Sequence, residues 1–339
     1  MFATSSYFNE IVRSVEKAQN NEVFFEEIFA DPTAPEGKNR AVFFIKPELT
    51  LKSELINFRE ILELIHEKMR AFRLNIHNIN ILSALYLEKY DIIAQHYGVI
   101  NKISRSAAKN MSQSARENFS RTYGMSTEES NVLGGTEILT KFPSLNAYSL
   151  DYLWQNVQNT KLAGGTYCAP VKLDYDAVFL VNGFHPRQLK HFTDAGRSIV
   201  VYSVSGDLPW SVARREFIGS TNPAFATTGS LRRELLERKD ELGLMEVSQG
   251  INGVHLSAGP IEALVELRRY NSDFSDVSKI RDYASYPLGK RLIASFSSET
   301  VDRILSNANV EVDGKLVSVF DLTEEKDSDE VLAILKRYF

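Results

Sequence analysis

Residues 250–267 read GINGVHLSAGPIEALVEL, and the organisation of the chain follows from this stretch. A short strand lies near 252–256. Gly259-Pro260 then ends it and opens a helix, because proline is pre-set for the first helical position and gives up only an N–H that has no partner there. The helix runs to about Tyr270 on the spacing of its apolar residues. His255 therefore ends a strand that feeds straight into a helix, where a side chain can face a cleft. Glu266 follows eleven residues later, about three helical turns along. A helix folded back beside its strand brings that carboxylate to the imidazole, fixing the tautomer and leaving the other ring nitrogen to attack. Taken alone, such a histidine is more often an ordinary surface or internally satisfied residue, so its surroundings must decide.

Working outward, 41–46 (AVFFIK) is a short apolar run ending at Pro47, the mark of a buried strand. A helical pattern follows over 51–70, with Leu55, Phe58, Ile61, Leu62 and Ile65 on one face. LNIHNINILS (74–83) gives a second strand, and 85–97 a further helix. Past the middle of the chain, AVFLV (177–181) restores regular patterning. A helix is expected over 186–195, and SIVVYSVS (198–205) reads as a strand. Pro209 stands where a helix begins, with that helix ending near Ile218. The polar loop GSTNPAFATTGSLRR (219–233) and a charged helix near 231–242 complete the connection to the His255 strand. This order of strands and helices predicts an α+β ferredoxin-like βαββαβ sandwich, one antiparallel sheet with helices packed on it.

Around that domain, placed at 39–272, lie three additions. Residues 1–38 are read as a helix followed by a loop, ending at the proline-rich DPTAPEG (31–37). Residues 101–175 break the rhythm with SRSAAKNMSQSAREN and a Gly-Gly at 134–135, so a mainly helical insertion is expected there, either a mobile surface addition or a shaper of the site. Residues 273–339 form a small extension with a helix at 298–307, a hairpin at Asp313-Gly314 and a last helix from 328.

The net charge of −5 argues against protein-wide attraction to nucleic acid or an anionic membrane. Cys168 is the only cysteine, which excludes an intrachain disulfide and a cysteine metal cluster. No stretch reaches the ~20 apolar residues of a membrane span, and the N-terminus lacks a basic segment followed by an apolar run. A cytoplasmic location is the expectation.

Several cations fall around His255 in the chain. Lys46 ends the first strand, Arg215 precedes the TNPA loop and Arg232 follows it. A triphosphate needs such a set, because phosphoryl transfer is catalysed mainly by positioning and charge stabilisation, and a guanidinium grips phosphate oxygens in pairs. Thr221 adds a hydroxyl. Singly, each arginine is more often a solvated ion pair. The chain has no Walker A sequence and no glycine-rich loop of the dinucleotide-binding type.

Taken in order, these motifs resemble the nucleoside diphosphate kinase family. Ile45-Lys46-Pro47-Glu48 is similar to the family's opening Lys-Pro-Asp motif, and His96-Tyr97 to the His-Tyr closing its second helix. Ala195-Gly196 before SIVVYSV resembles its Ser-Gly-Pro turn. Arg214-Arg215 through Ile218-Gly219-Ser220-Thr221-Asn222-Pro223-Ala224 resembles the arginine and Gly-x-Thr-Asn-Pro-Ala segment, and Gly229-Ser230-Leu231-Arg232 its Gly-Thr-Ile-Arg. Asn252-Gly253-Val254-His255-Leu256-Ser257 resembles Asn-x-x-His-Gly-Ser, with Glu266 at the family's glutamate.

The resemblance implies a ping-pong phosphotransferase that moves the γ-phosphate of a nucleoside triphosphate to a (deoxy)nucleoside diphosphate through a phosphohistidine on His255. It implies Glu266, Lys46 and Tyr97 beside the reacting phosphate, and Arg215, Thr221 and Arg232 on phosphate oxygens. Lys46 and Asn252 fall to the ribose, Ser257 supports the histidine and glutamate, and Phe184 and Leu189 take the base, Phe184 with a slip in spacing. Mg²⁺ arrives with ATP or another triphosphate and sits on its phosphates; no protein metal site is implied. The partners are that donor and a small phosphorylated acceptor, with no nucleic acid and no membrane. Family members assemble into tetramers or hexamers, which implies a homo-oligomer where the extensions permit it.

The chain departs from the family in its long insertion, a lengthened stretch between Arg232 and Asn252, Leu256 for the glycine after the histidine, Ala258 for an acidic residue, Thr228 where proline is common, and extended ends. Two other functions stay open: a specialised kinase of the same chemistry acting on an unusual phosphorylated or phosphonate metabolite, and a nucleotide-binding regulatory protein with little turnover.

Overall fold

The computed structural model describes residues 4–20 and 22–339; residues 1–3 and 21, within the expected N-terminal extension, lie outside the described residues. Strands follow in chain order as β1 (Phe25–Ala30), β2 (Asn39–Ile45), β3 (Asn75–Ser83), β4 (Val132–Gly134), β5 (Thr160–Ala163), β6 (Thr166–Leu173), β7 (Asp176–Val181), β8 (Ser198–Gly206), β9 (Val254–Leu256), β10 (Asn309–Val312) and β11 (Lys315–Ser318). The chain forms two compact units, Met1–Tyr90 with Ala195–Phe339, and Asp91–Asp194. Among the described residues no helix is long and apolar enough to cross a membrane.

The first unit is built on a sheet of order β1-β3-β8-β2-β9, every pair antiparallel. Without β1, the four strands lie fourth-first-third-second, which is the ferredoxin-like order. Each of its two halves is a split βαβ unit: β8 separates β2 from β3, and β2 separates β8 from β9. Period-2 alternation sends Phe43, Ile45, Val200, Tyr202, Val254 and Leu256 to one face, where they meet Ile61, Leu62 and Ile65 of the Phe58–Ala71 helix and Phe217 of the Ala213–Ile218 turn. Phe44 and His255 fall on the opposite face. There Phe44 packs against Tyr270 of the Pro260–Asn271 helix.

The N-terminal helix, Thr4–Ala18, places Phe8, Ile11, Val15 and Ala18 on one stripe and buries them in the same core. It is therefore part of the domain's packing. A buried polar chain ties it down: the Tyr7 hydroxyl meets His66 Nδ1 at 3.0 Å, and His66 Nε2 meets the Tyr202 hydroxyl at 3.1 Å.

Several elements differ from the sequence reading. β1 replaces the expected loop. Its pairing with β3 slips at a bulge between Glu27 and Phe29, which erases the alternation a strand normally shows. The helix expected from 51 begins at Phe58, where the Asn57 side chain accepts the Glu60 N–H. Leu55, read as part of its apolar face, is exposed. The helix expected over 85–97 breaks at Asp91, whose φ of 52° is incompatible with helix.

The second unit carries a four-stranded sheet of order β4-β7-β6-β5 beside its helices. β6 contains Pro170, which disguises a strand in sequence. Alternation again places Cys168 and Val181 in one small core with Ile103 and Phe119, and Ala169 and Leu180 in another with Leu150 and Trp154. The C-terminal part of the first unit adds the β10–β11 hairpin and the helices Ser298–Leu305, Val319–Thr323 and Ser328–Tyr338.

Burial lowers His66 and His77 from 6.5 to about 4. The unfolded chain thus holds more protons than the folded one between pH 6.5 and 4, so stability falls as pH drops through that window. His66→Gln should flatten the pH dependence of the unfolding free energy by about 2 kcal/mol between pH 7 and pH 5, measured by urea denaturation; a curve parallel to that of the unaltered protein refutes this account.

Candidate functional site

Four segments of the first unit meet at the end of β2. Phe44 pairs with His255 in register, and the two rings stack with centroids 4.4 Å apart and planes at 20°. β9 turns directly into the Pro260–Asn271 helix, which runs back along β2 and carries Glu266 to the imidazole. His255 Nε2 lies 3.0 Å and 3.2 Å from the two Glu266 oxygens. Glu266 is 1% exposed. Its Oε2 also accepts the Ser257 hydroxyl at 2.5 Å, and Ser257 in turn accepts the Val42 N–H at 3.0 Å. A neutral imidazole that donates from Nε2 to the carboxylate has its lone pair on Nδ1, so this array favours one tautomer of His255.

Lys46 follows β2 immediately and is 9% exposed. Its Nζ donates to Asn252 Oδ1 at 2.6 Å, while Asn252 Nδ2 donates to the Thr221 and Gln249 carbonyls. Burial pushes the ammonium down to about 8, with Glu48 opposing and Arg232 reinforcing the shift. Glu48 accepts the Gly253 N–H at 2.8 Å. Gly253 has a φ of 78°, the left-handed backbone region that favours glycine, at the corner before the histidine.

The two expected arginines have different surroundings. Arg232 is 5% exposed and donates to the Gly219 carbonyl at 2.9 Å and the Val254 carbonyl at 3.0 Å. It ties the loop to the strand beside His255. The Arg215 side chain is 64% exposed and pairs with Glu216 at 2.6 Å, a surface ion pair. Thr221 is exposed in the same loop.

Tyr97, Phe184 and Leu189 belong to the second unit. There Tyr97 lies edge-on to His185 and Phe184 packs near Trp154 and Tyr167. Leu189 sits on the His185–Thr193 helix and its carbonyl accepts the Thr193 hydroxyl.

Two residues of the site, Phe44 and Glu262, carry no sequence signal of their own, and two more, Glu48 and Arg214, sit in recognised motifs that assign them no role. Phe44 matters through strand register, Glu48 through a loop N–H. Arg214 donates to the Leu256 carbonyl at 2.9 Å. Glu262, one turn before Glu266, accepts the Ala258 N–H at 3.0 Å. Desolvation and then the Glu266 carboxylate push Glu262 up to about 8, against the Ala258 N–H and Arg214.

A scan against protein-family models and a search of curated proteins return no match. Among solved structures, the chain is similar to a nucleoside diphosphate kinase from Encephalitozoon cuniculi at 13% identity and a TM-score of 0.33, over 72% of this chain and 95% of that one. It is similar to an NDP kinase from Pyrobaculum aerophilum at 14% identity and a TM-score of 0.34, over 72% and 99%. At such scores the fold rests on the strand order itself.

The contrast between the arginines is measurable. Arg232→Met leaves two buried carbonyls without their donor and should lower the unfolding free energy by about 3 kcal/mol. Arg215→Ala should change it by no more than about 0.5 kcal/mol. Equal losses in denaturant titrations contradict the assignment of a structural role to Arg232 alone.

Proposed function

We propose that the chain is a phosphotransferase of the nucleoside diphosphate kinase type, moving the γ-phosphate of a nucleoside triphosphate to a (deoxy)nucleoside diphosphate through a phosphohistidine on His255. The observation that carries this reading is the His255 imidazole held through Nε2 by the buried Glu266, with Ser257 bracing the carboxylate. The ordered motifs from Lys46 to Glu266 support it from the sequence.

In the first half-reaction Nδ1 attacks the γ-phosphorus. The N–P bond forms as the bridging O–P bond breaks, and the nucleoside diphosphate leaves with the electron pair. The imidazole becomes cationic, and the Glu266 charge stabilises it without taking its proton. In the second half-reaction a terminal oxygen of the acceptor diphosphate attacks the same phosphorus, and the electron pair of the N–P bond returns to Nδ1. Arg215 meets the phosphates from solvent, and Thr221 of the following loop offers its hydroxyl. Lys46 and Asn252, already bonded to each other, present an ammonium and an amide to the nucleotide. Mg²⁺ arrives on the nucleotide as part of the substrate. The roles of Tyr97, Phe184 and Leu189 rest on the sequence resemblance alone.

The test is incubation with γ-labelled ATP and Mg²⁺, then a chase with nucleoside diphosphates. An acid-labile phosphoryl group should appear on the protein, be absent in His255→Ala, and pass to the diphosphates. Glu266→Gln should slow labelling about tenfold or more by removing a charge that stabilises the imidazolium. Labelling that persists in His255→Ala ends the covalent proposal. A labelled protein that ignores every diphosphate instead marks a specialised acceptor, and binding without labelling marks a nucleotide-binding protein with little turnover.

A further inference from the structure

β9 is three residues long and forms the last strand of its sheet. On one side it bonds β2: the Lys46 N–H donates to the Gly253 carbonyl and the Ser257 N–H to the Val42 carbonyl. In an antiparallel pair these bonds alternate along the strand. Residues 253, 255 and 257 therefore turn their backbone groups toward β2, and 254 and 256 turn theirs to the open edge. The two carbonyls at that edge flank His255, and each receives an arginine: Arg232 takes Val254 O at 3.0 Å, and Arg214 takes Leu256 O at 2.9 Å.

Arg214 is in turn set by the C-terminal extension. Its guanidinium lies 4.0 Å from carboxylate oxygens of both Glu324 and Glu325. The Glu325 N–H donates to the Ala258 carbonyl at 3.0 Å. A Cβ on Gly259 would stand 2.6 Å from the Thr323 carbonyl, so this backbone presses on the turn that joins β9 to the Glu266 helix. The segment is anchored just beyond: Asp327 Oδ1 accepts from Asn39 Nδ2 at 2.9 Å and from the Trp210 N–H at 3.0 Å, and the Ser328 N–H donates to Asn39 Oδ1.

We propose that Arg214 is a positioning residue for His255, and that through Arg214 and the Ala258 turn the segment 323–328 sets the geometry of the nucleophile. The inference rests on the phosphotransfer reading for its effect on rate. A three-residue edge strand has one bonded side and could rock or fray about it. Fixing the outer carbonyls on both sides of the histidine holds the ring against Glu266, and displacement of a reacting group by as little as about 1 Å can cost two orders of magnitude in rate.

The test compares the full chain with Arg214→Met, Arg214→Lys and the double variant Glu324→Gln/Glu325→Gln. Single-turnover labelling by γ-labelled ATP is read beside nucleotide affinity by calorimetry, and the ring signals of His255 are followed by NMR in ¹⁵N-histidine protein, assigned with His255→Ala. Arg214→Met should slow labelling about tenfold with affinity changed less than about twofold, and should move the His255 ring signals. Arg214→Lys should recover part of the rate, because an ammonium can still reach the Leu256 carbonyl. The double variant should move the same signals by less and carries the test if Arg214→Met fails to fold. Ring signals and rate unchanged in Arg214→Met and in the double variant overturn the proposal. If the unaltered protein does not label at all, the phosphotransfer reading falls, and the ring signals alone decide whether Arg214 positions the histidine.

Discussion

β9 has a bonded side and an open side, and the candidate site is arranged around that asymmetry. Its pairing with β2 fixes the register in which His255 stands opposite Phe44. Because side chains alternate across a strand, the same register that buries Val254 and Leu256 in the main core puts the imidazole on the other face, over the Pro260–Asn271 helix. A one-residue slip would bury His255 among aliphatic side chains and expose two of them. The core therefore selects the orientation of the histidine, and the polar groups around it refine what packing has already chosen.

Charge in this region is distributed according to burial. Lys46, the most deeply placed cation with a nucleotide role in the proposal, rests on an amide, Asn252, and its ammonium is held near the neutral range. A carboxylate bonded directly to Lys46 would fix the charge more firmly, but it would also occupy the ammonium that a phosphate or hydroxyl is to use. Arg232 lies equally deep and spends two of its N–H groups on backbone carbonyls. The exposed Arg215 holds a surface ion pair with Glu216, an interaction worth little in water and, in the proposal, exchanged for a doubly charged phosphate. The result is a gradient from fixed structural cation to exchangeable one.

The strand–helix order of the ferredoxin-like core was legible because its apolar runs are long and their periods clean: AVFFI, SIVVYSVS and the helix after Gly259-Pro260 could be read without tertiary information. The pairing of His255 with Glu266 followed from an eleven-residue spacing between a strand and the helix that folds back beside it. β1 was hidden because its bulge breaks the alternation, and β6 because Pro170 interrupts it. The start of the Phe58–Ala71 helix depends on the Asn57 cap, and Leu55 before it looked apolar enough to extend the pattern. Phe44 and Glu262 were invisible, and Glu48 and Arg214 stood in motifs that named no role for them, for a common reason. Each acts on a backbone group or on a neighbour in space, and neither leaves a spacing in the sequence.

The same distinction explains why a matched motif does not specify a role. Arg215 and Arg232 both fall on motif arginines, yet one faces solvent and the other bonds two buried carbonyls. A guanidinium offers five N–H groups in a fixed fork, so one residue type can serve either a ligand or a strand edge, and its burial selects between them. Arg214 and Arg232 bond the carbonyls on either side of the histidine from the open edge of β9, which a three-residue strand cannot secure with backbone partners. A longer β9, or another strand beside it, would supply those bonds through amides but would close the edge. An arginine at each carbonyl satisfies the edge without another strand.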